Sequence, residues 1–188
     1  MPNVSNYAEY DGLGLAELVR NGDVTARELL EDAYAAIDAI NPELNGVVSR
    51  IPDLAEAEIA AGLPDGPFKG VPFLVKELGI QMKGSPSRCG SKLTEDLVAA
   101  EDTELATRFR AAGLVTAAMT ATPEFGFNPS TESIFYEPTP NPWDVRRSPG
   151  GSSGGTGAAI AASFAAIGWG SDTCGSIRIP ASHHNLFG

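Results

Sequence analysis

Two serines lie in glycine-rich turns on either side of a run of small residues. Ser152 is in the turn 150–155, and Ser176 is in the turn 172–178. Between them, residues 156–167 are rich in alanine, which favours a helix whose small side chains permit close packing. Glycine lets a reacting carbon approach the main chain closely. The two turns therefore predict two walls of a site in which a serine hydroxyl could attack a substrate.

A lysine occupies an apolar segment far upstream of both serines. Residues 71–78 read VPFLVKEL, which is typical of a strand buried on both faces, yet Lys76 lies within them. A buried ammonium must be paired or neutral, because isolating the charge from water is costly. An ion pair with Glu77 is one interpretation, although strand alternation directs Glu77 to the opposite face. A neutral amine that acts as a base is the other.

Three segments in chain order resemble the amidase signature family, which comprises serine hydrolases with a Ser/Ser/Lys triad. They read GVPFLVKE at 70–77, GGSSGG at 150–155 and GSDTCGSIRIP at 170–180. The separation of the two serines is the one that the family uses. The resemblance implies an α/β fold in which a mixed β-sheet is covered by helices on both faces. Because family members are more than twice this long, we expect residues 1–188 to form a single domain, the incomplete N-terminal portion of a larger amidase domain.

The resemblance implies catalytic roles for three residues. Ser176 is the nucleophile, and Ser152 passes its proton to Lys76 and later to the departing nitrogen. Lys76 can act as a base only when it is neutral. We expect burial, aided by the cation of Arg178 if it lies near, to lower the pKa of Lys76 enough.

Further residues of the second turn have supporting roles by the same resemblance. The oxyanion of the tetrahedral intermediate is expected to accept hydrogen bonds from backbone N–H groups of Thr173, Cys174, Gly175 and Ser176. Asp172 and Arg178 are expected to pair across the turn and fix its shape, and Ser153 to form a hydrogen bond near Lys76.

Two other chemistries are compatible with the same motifs. The GGSSG run also matches a nucleophile elbow, with Asp172 and His183 or His184 as partners in a Ser/His/Asp triad. An elbow must follow a strand, whereas residues 141–149 contain prolines and no strand pattern. Cys174 as a thiol nucleophile is less favoured, because the register of Ser176 fits all three motifs. A phosphate-binding loop is disfavoured, since no Gly-Lys-Ser/Thr follows the glycines.

The reaction expected from the resemblance is hydrolysis of a carboxylic amide C–N bond through an acyl-enzyme. The first alternative is an amidotransferase A-type subunit of the same family. Such subunits usually have Arg-Gln-Pro where this chain has Arg178-Ile179-Pro180, so Ile179 favours a free-standing amidase. The second alternative is a catalytically incomplete fragment that needs a partner or a missing C-terminal part. The segments 141–144 and 186–188 resemble the group that includes 6-aminohexanoate cyclic-dimer hydrolase.

Composition indicates which partners the protein could bind and where in the cell it is expected. With 13 basic and 24 acidic residues the net charge is −11, which disfavours binding to nucleic acid or to an anionic membrane. Cys89 and Cys174 are too few for a disulfide framework and lack metal-ligand spacing, so we expect no metal and no cofactor. The first twelve residues do not read as an export signal. We therefore expect a cytoplasmic protein that acts on a small-molecule amide and could assemble as a homo-oligomer.

Helices and strands must bring these distant segments together. Two helices are predicted between residues 13 and 40, with Asp11 and Thr25 as N-caps, Gly22 ending the first and Pro42 stopping the second. Further helices are predicted at 53–61, 102–112 and 156–167, with Leu105 facing inward in the second of these. Strands are predicted at 45–51, 71–78 and 114–120. Residues 128–149 read as a long surface loop anchored by Trp143.

Overall fold

Four strands form a mixed sheet at the centre of the chain, whose residues 3–188 are described by a computed structural model. In sequence they are β1 (Val47–Arg50), β2 (Pro72–Lys76), β3 (Val115–Thr120) and β4 (Ile167–Trp169). Their order across the sheet is β1-β3-β2-β4. β2 runs parallel to both of its neighbours, and β1 is antiparallel to β3. Every residue of β2 and β3 is buried, as expected for central strands of a covered sheet.

Six α-helices lie within residues 3–188. They are α1 (Gly12–Asn21), α2 (Ala26–Leu44), α3 (Pro52–Ala60), α4 (Glu104–Ala111), α5 (Gly154–Ala161) and α6 (Arg178–His184). Phe73 and Val75 share one apolar cluster with residues of α1 and α4. Leu74 lies in the other cluster, with residues of α2 and α5. Since alternate residues of β2 enter different clusters, helices lie on both faces, and the predicted α/β fold is confirmed.

Local capping determines where the first two helices begin. The carboxylate of Asp11 accepts a hydrogen bond from the Gly14 N–H at 2.7 Å, and Gly22 ends α1 with φ 78°. Thr25 and Glu28 form the predicted capping box at the start of α2, each side chain accepting from the backbone N–H of the other residue. These predictions are confirmed because side-chain caps act on neighbours in sequence.

The predicted end of α2 at Pro42 is wrong. The helix continues through Pro42 to Leu44 and ends at Asn45, which has φ 50°. A proline this close to the end of a helix removes one backbone hydrogen bond but does not prevent the last turn from forming. The Asn41 side chain then bonds both the N–H and the C=O of Val47, at 2.8 and 2.9 Å, and directs the chain into β1.

Two other helix predictions need correction. α5 ends at Ala161 instead of continuing to Ile167, and residues 167–169 form β4 beside β2. In α4 the buried residue is Ala106, whereas Leu105 is 38% exposed. Phe109 packs inward instead, with its ring centroid 4.9 Å from that of Phe73.

The long segment 128–149 is irregular apart from a bridge between Asn141 and Asp144. Trp143 is mostly exposed and does not bury its ring, although its indole N–H donates to the His184 carbonyl at 3.1 Å. Two buried threonines hold the segment instead, because the hydroxyls of Thr131 and Thr139 donate to backbone carbonyls at 2.8 and 2.9 Å.

None of the helices within residues 3–188 has the length and apolar character needed to span a bilayer.

Candidate active site

Lys76 is the last residue of β2, and its side chain is fully buried. Its Nζ lies 2.7 Å from the Oγ of Ser152 and 2.9 Å from the Oγ of Ser171, residues that are 76 and 95 positions away in sequence. Glu77 lies on the opposite face, where it accepts hydrogen bonds from the Arg88 N–H at 2.8 Å and the Tyr136 hydroxyl at 2.7 Å. The ion pair between Lys76 and Glu77 is therefore absent from residues 3–188, and Lys76 contacts hydroxyls instead.

The sheet and α5 bring these residues together. Ser171 follows β4 by two residues, and the parallel register of Val75 with Trp169 brings it next to the end of β2. Ser152 lies just before α5, which approaches the end of β3 so closely that a Cβ on Gly155 would be 2.4 Å from the Ala121 nitrogen. Glycine is required at position 155 because the two backbones are in contact.

Burial lowers the pKa of Lys76 to about 8, and the nearby carboxylate of Asp172 opposes the shift. The physical cause is the loss of water around the ammonium, which favours the neutral amine. A contribution from Arg178 was predicted, but that guanidinium is paired with Asp172. Lys76 therefore lies closer to neutrality at physiological pH than an exposed lysine because it is buried.

The carboxylate of Asp172 organises the second turn. It accepts from the backbone N–H groups of Gly175, Ile177 and Arg178 at 2.8, 3.1 and 3.2 Å. The Arg178 side chain donates two more hydrogen bonds to it, at 3.0 and 2.9 Å. Arg178, followed by these backbone donors, holds the pKa of Asp172 well below its usual range. The expected pair of Asp172 and Arg178 is thus present and fixes the shape of the turn.

The predicted set of oxyanion donors needs one correction. The N–H of Gly175 points to the Asp172 carboxylate, so it does not fit the predicted role. Within residues 3–188, the backbone N–H groups of Thr173, Cys174 and Ser176 have no acceptor. These three donors are available for an anion.

Ser176 lines the same cavity as Ser152, Ser171, Thr173 and Cys174; the cavity volume is about 440 Å³. Its backbone carbonyl accepts from the Ser153 N–H at 3.1 Å, which ties the two serine-containing turns together. Across residues 3–188 the Ser176 hydroxyl forms no hydrogen bond, so none joins it to Ser152, which accepts from Lys76.

Ser171 is a site residue that the sequence analysis missed. Besides accepting from Lys76, it is held by Ser153, whose Oγ lies 3.3 Å from the Ser171 nitrogen and 3.2 Å from its carbonyl oxygen. Ser153 therefore forms a hydrogen bond near Lys76, as predicted, and reaches the lysine through Ser171. The only local signal for Ser171 is its position immediately before Asp172.

Neither histidine is hydrogen-bonded to Ser152, Ser176 or Asp172 within residues 3–188, although the His183 Nδ1 would lie 3.0 Å from a Cβ on Gly150. His184 is buried, and its Nδ1 lies 2.8 Å from the Pro180 carbonyl oxygen, while burial lowers its pKa. Asp172 is engaged by Arg178, and Ser152 by Lys76. A Ser/His/Asp triad is thus not assembled among residues 3–188. In the same part of the chain, no three His, Cys, Asp or Glu residues are grouped to hold a metal ion.

Comparison with known proteins identifies the family to which this covered sheet and this lysine–serine contact belong. The family model described as Amidase matches residues 28–188, and the chain belongs to the amidase family. It is 42% identical over 174 residues to a 6-aminohexanoate-cyclic-dimer hydrolase of Paenarthrobacter ureafaciens. The matched region covers 92% of this chain and 35% of that protein. The predicted resemblance to that group is confirmed.

Other relatives share the same portion of sequence. The chain is 39% identical over 171 residues to the A-type subunit of the glutamyl-tRNA(Gln) amidotransferase of Cyanothece sp., covering 87% of this chain and 35% of that protein. The solved structure of 6-aminohexanoate cyclic dimer hydrolase complexed with substrate superposes with a TM-score of 0.89 at 39% identity. It covers 95% of this chain and 37% of that one. The chain thus spans about a third of the length of these relatives.

Proposed function

We propose that the protein hydrolyses a carboxylic amide C–N bond through an acyl-enzyme on Ser176. The observation that carries the proposal is the 2.7 Å contact between the buried Lys76 Nζ and the Ser152 Oγ, beside a cavity that Ser176 also lines. An amide is a poor electrophile, so the reaction needs an activated nucleophile, oxyanion stabilisation and a proton for the leaving amine. In the proposal, Lys76 and Ser152 activate Ser176 and return the proton to the leaving amine, and the free backbone N–H groups stabilise the oxyanion.

In the proposed acylation step, neutral Lys76 accepts the proton of Ser152, and Ser152 accepts the proton of Ser176. The Ser176 oxygen attacks the carbonyl carbon, and the resulting oxyanion is bound by the N–H groups of Thr173, Cys174 and Ser176. The C–N bond then breaks, and the proton returns from Lys76 through Ser152 to the leaving nitrogen. A water molecule then takes the place of Ser176 as the nucleophile. It loses a proton through Ser152 to Lys76 and attacks the acyl-enzyme carbonyl. The bond to Ser176 breaks, the proton returns to the Ser176 oxygen, and the carboxylic acid is released.

Two physical features support this assignment of roles. A base works best when its pKa lies near the working pH, and a pKa of about 8 for Lys76 meets that condition. The missing contact between Ser152 and Ser176 is compatible with the relay, because catalytic hydrogen bonds often tighten only when a substrate is bound.

Labelling with a fluorophosphonate probe tests the proposal. We expect the probe to modify Ser176, and Ser176→Ala to abolish the adduct. Lys76→Met should slow labelling by about two to three orders of magnitude, since the nucleophile loses its base. Lys83→Met is the matched control, because Lys83 is exposed and lies outside the cavity. An adduct on another serine, or wild-type labelling of Lys76→Met, would contradict the mechanism.

An amidotransferase component is the second candidate, favoured by the 39% identity to such a protein. It shares the proposed chemistry but predicts that turnover depends on a partner chain. Assaying purified protein alone against aliphatic, aryl and cyclic amides separates the two, because a hydrolase releases the amine without a partner. A catalytically incomplete chain would show neither turnover nor a Ser176 adduct.

The proposed partner is a small-molecule amide. A cytoplasmic location, a homo-oligomeric state and the lack of a nucleic-acid partner stay predictions from composition.

A further inference from the structure

Polar and apolar residues together line the cavity beside Ser152 and Ser176. The apolar side chains are those of Leu78, Phe125, Phe127, Pro129 and Ile179. Every residue that lines the cavity within the described chain is uncharged. A charged group entering the cavity would therefore lose water without gaining a charged partner among these residues.

Phe125 has an unusual backbone conformation for an aromatic residue. Its φ and ψ are 48° and 18°, in the left-handed region that favours glycine, and its side chain is 38% exposed beside the cavity. Bulky residues rarely adopt this conformation, and those that do cluster at binding and catalytic sites.

The turn that carries Phe125 is held firmly against the site. The Phe125 N–H donates to the Cys89 carbonyl at 2.9 Å, and the Glu124 carboxylate accepts from the Ser91 hydroxyl at 2.7 Å. A Cβ on Gly126 would be 3.2 Å from the Ser152 Oγ, so the turn passes directly over that serine. These contacts hold the Phe125 backbone in place beside the cavity that this residue lines.

From this geometry, we propose that the cavity receives an uncharged, apolar acyl group and that Phe125 selects it. The inference rests on the proposed function, because the acyl group is the part of the substrate that stays bonded to Ser176 after the amine leaves. A carboxylate at the far end of that group would lie among the apolar walls, whereas a methyl group there would be buried favourably.

A matched pair of chromogenic substrates tests this inference. Hexanoyl p-nitroanilide and adipoyl p-nitroanilide have the same number of acyl carbons and differ in a terminal methyl or carboxylate. We expect wild-type kcat/KM to favour the hexanoyl substrate by roughly 30-fold or more, because the carboxylate is left unpaired. Phe125→Asn, whose side chain tolerates the left-handed backbone, should lower kcat/KM for the hexanoyl substrate about tenfold through lost apolar contact.

Phe125→Lys provides a gain-of-function arm. A cation at position 125 should raise kcat/KM for the adipoyl substrate about tenfold and lower that for the hexanoyl substrate. Phe187→Asn is the matched control, because Phe187 is exposed and outside this cavity, and it should leave both values unchanged. Equal wild-type activity on the two substrates would overturn the inference, as would Phe125 variants that leave their ratio unchanged.

Failure of this inference can be told apart from failure of the proposed function. A fluorophosphonate probe with a short alkyl group has little apolar surface to bury against Phe125, so it should label Ser176 in wild type and in both Phe125 variants. If the probe labels Ser176 but the enzyme does not discriminate between the hexanoyl and adipoyl substrates, only the role of Phe125 is overturned. Absence of labelling in the wild type overturns the hydrolase assignment itself.

Discussion

Replacing Lys76 with methionine should change how stability depends on pH in a way that can be worked out from the structure. The amine is fully buried, and its pKa falls from 10.5 to about 8 on folding. Between these pH values the unfolded chain binds more protons than the folded one, so wild-type stability rises as pH increases. Below about pH 8 the amine is charged in both states, and the folded state bears the full cost of burying it.

The size of the effect follows from that pKa difference. One pKa unit corresponds to 1.36 kcal/mol, so the burial cost below pH 8 is roughly 3 kcal/mol. Lys76→Met removes this cost but also removes the contacts with Ser152 and Ser171, each worth about 1 kcal/mol. The variant should thus be about 1 kcal/mol more stable than wild type at pH 7 and about 2 kcal/mol less stable well above pH 10.

Urea unfolding of both proteins at several pH values from 7 to 10 measures this crossover. The difference in unfolding free energy should shift by roughly 2.5 kcal/mol across that range. Burial also raises the pKa of Cys89, Tyr7 and Tyr136, but these groups are common to both proteins and their contributions cancel in the difference. A difference that stays constant with pH would refute the claim that Lys76 is buried with a lowered pKa.

The remaining predictions concern catalysis. The logarithm of kcat/KM should rise with pH up to about 8 and then level off, because the base must be neutral, and a pH–rate profile measures this. Ser171→Ala should lower kcat about tenfold with little change in KM, whereas Ser171→Thr should retain activity, because the hydroxyl orients the Lys76 amine. His183→Ala should keep wild-type turnover of an amide substrate, since no step needs an imidazole; loss of turnover in folded protein would revive the Ser/His/Asp alternative. Arg178→Ala should move the midpoint of the pH–rate profile upward, and Arg178→Lys should restore it in part; an unchanged midpoint would contradict the electrostatic role of the Arg178–Asp172 pair.

Local chemistry explains which parts of the fold could be predicted. Asp11, Gly22 and Thr25 act on residues one turn away, so their effect is readable from sequence, and the structure has both helix starts where predicted. The apolar run containing Lys76 likewise indicated a strand buried on both faces.

Tertiary contacts explain the features that could not be predicted from the sequence. Residues 162–167 are as small and apolar as those of α5, but packing beside β2 draws their end into β4. Ser171 reaches Lys76 only because β4 pairs with β2 in one register, and a register cannot be read from either segment alone. Gly175 differs from prediction for a related reason, since a carboxylate three residues away captures its N–H.

The charges beside Lys76 show why Arg178 matters although it is 70% exposed. Shaping the second turn requires the Asp172 carboxylate, which accepts three backbone N–H groups, yet the same negative charge raises the pKa of Lys76 and so works against a neutral base. Pairing with Arg178 offsets that charge while keeping the hydrogen bonds in place. Burial remains the main cause of the lowered pKa of Lys76. Without Arg178 the carboxylate would act on Lys76 uncompensated, so under the proposed mechanism we expect Arg178 to influence the pH at which the buried lysine becomes neutral.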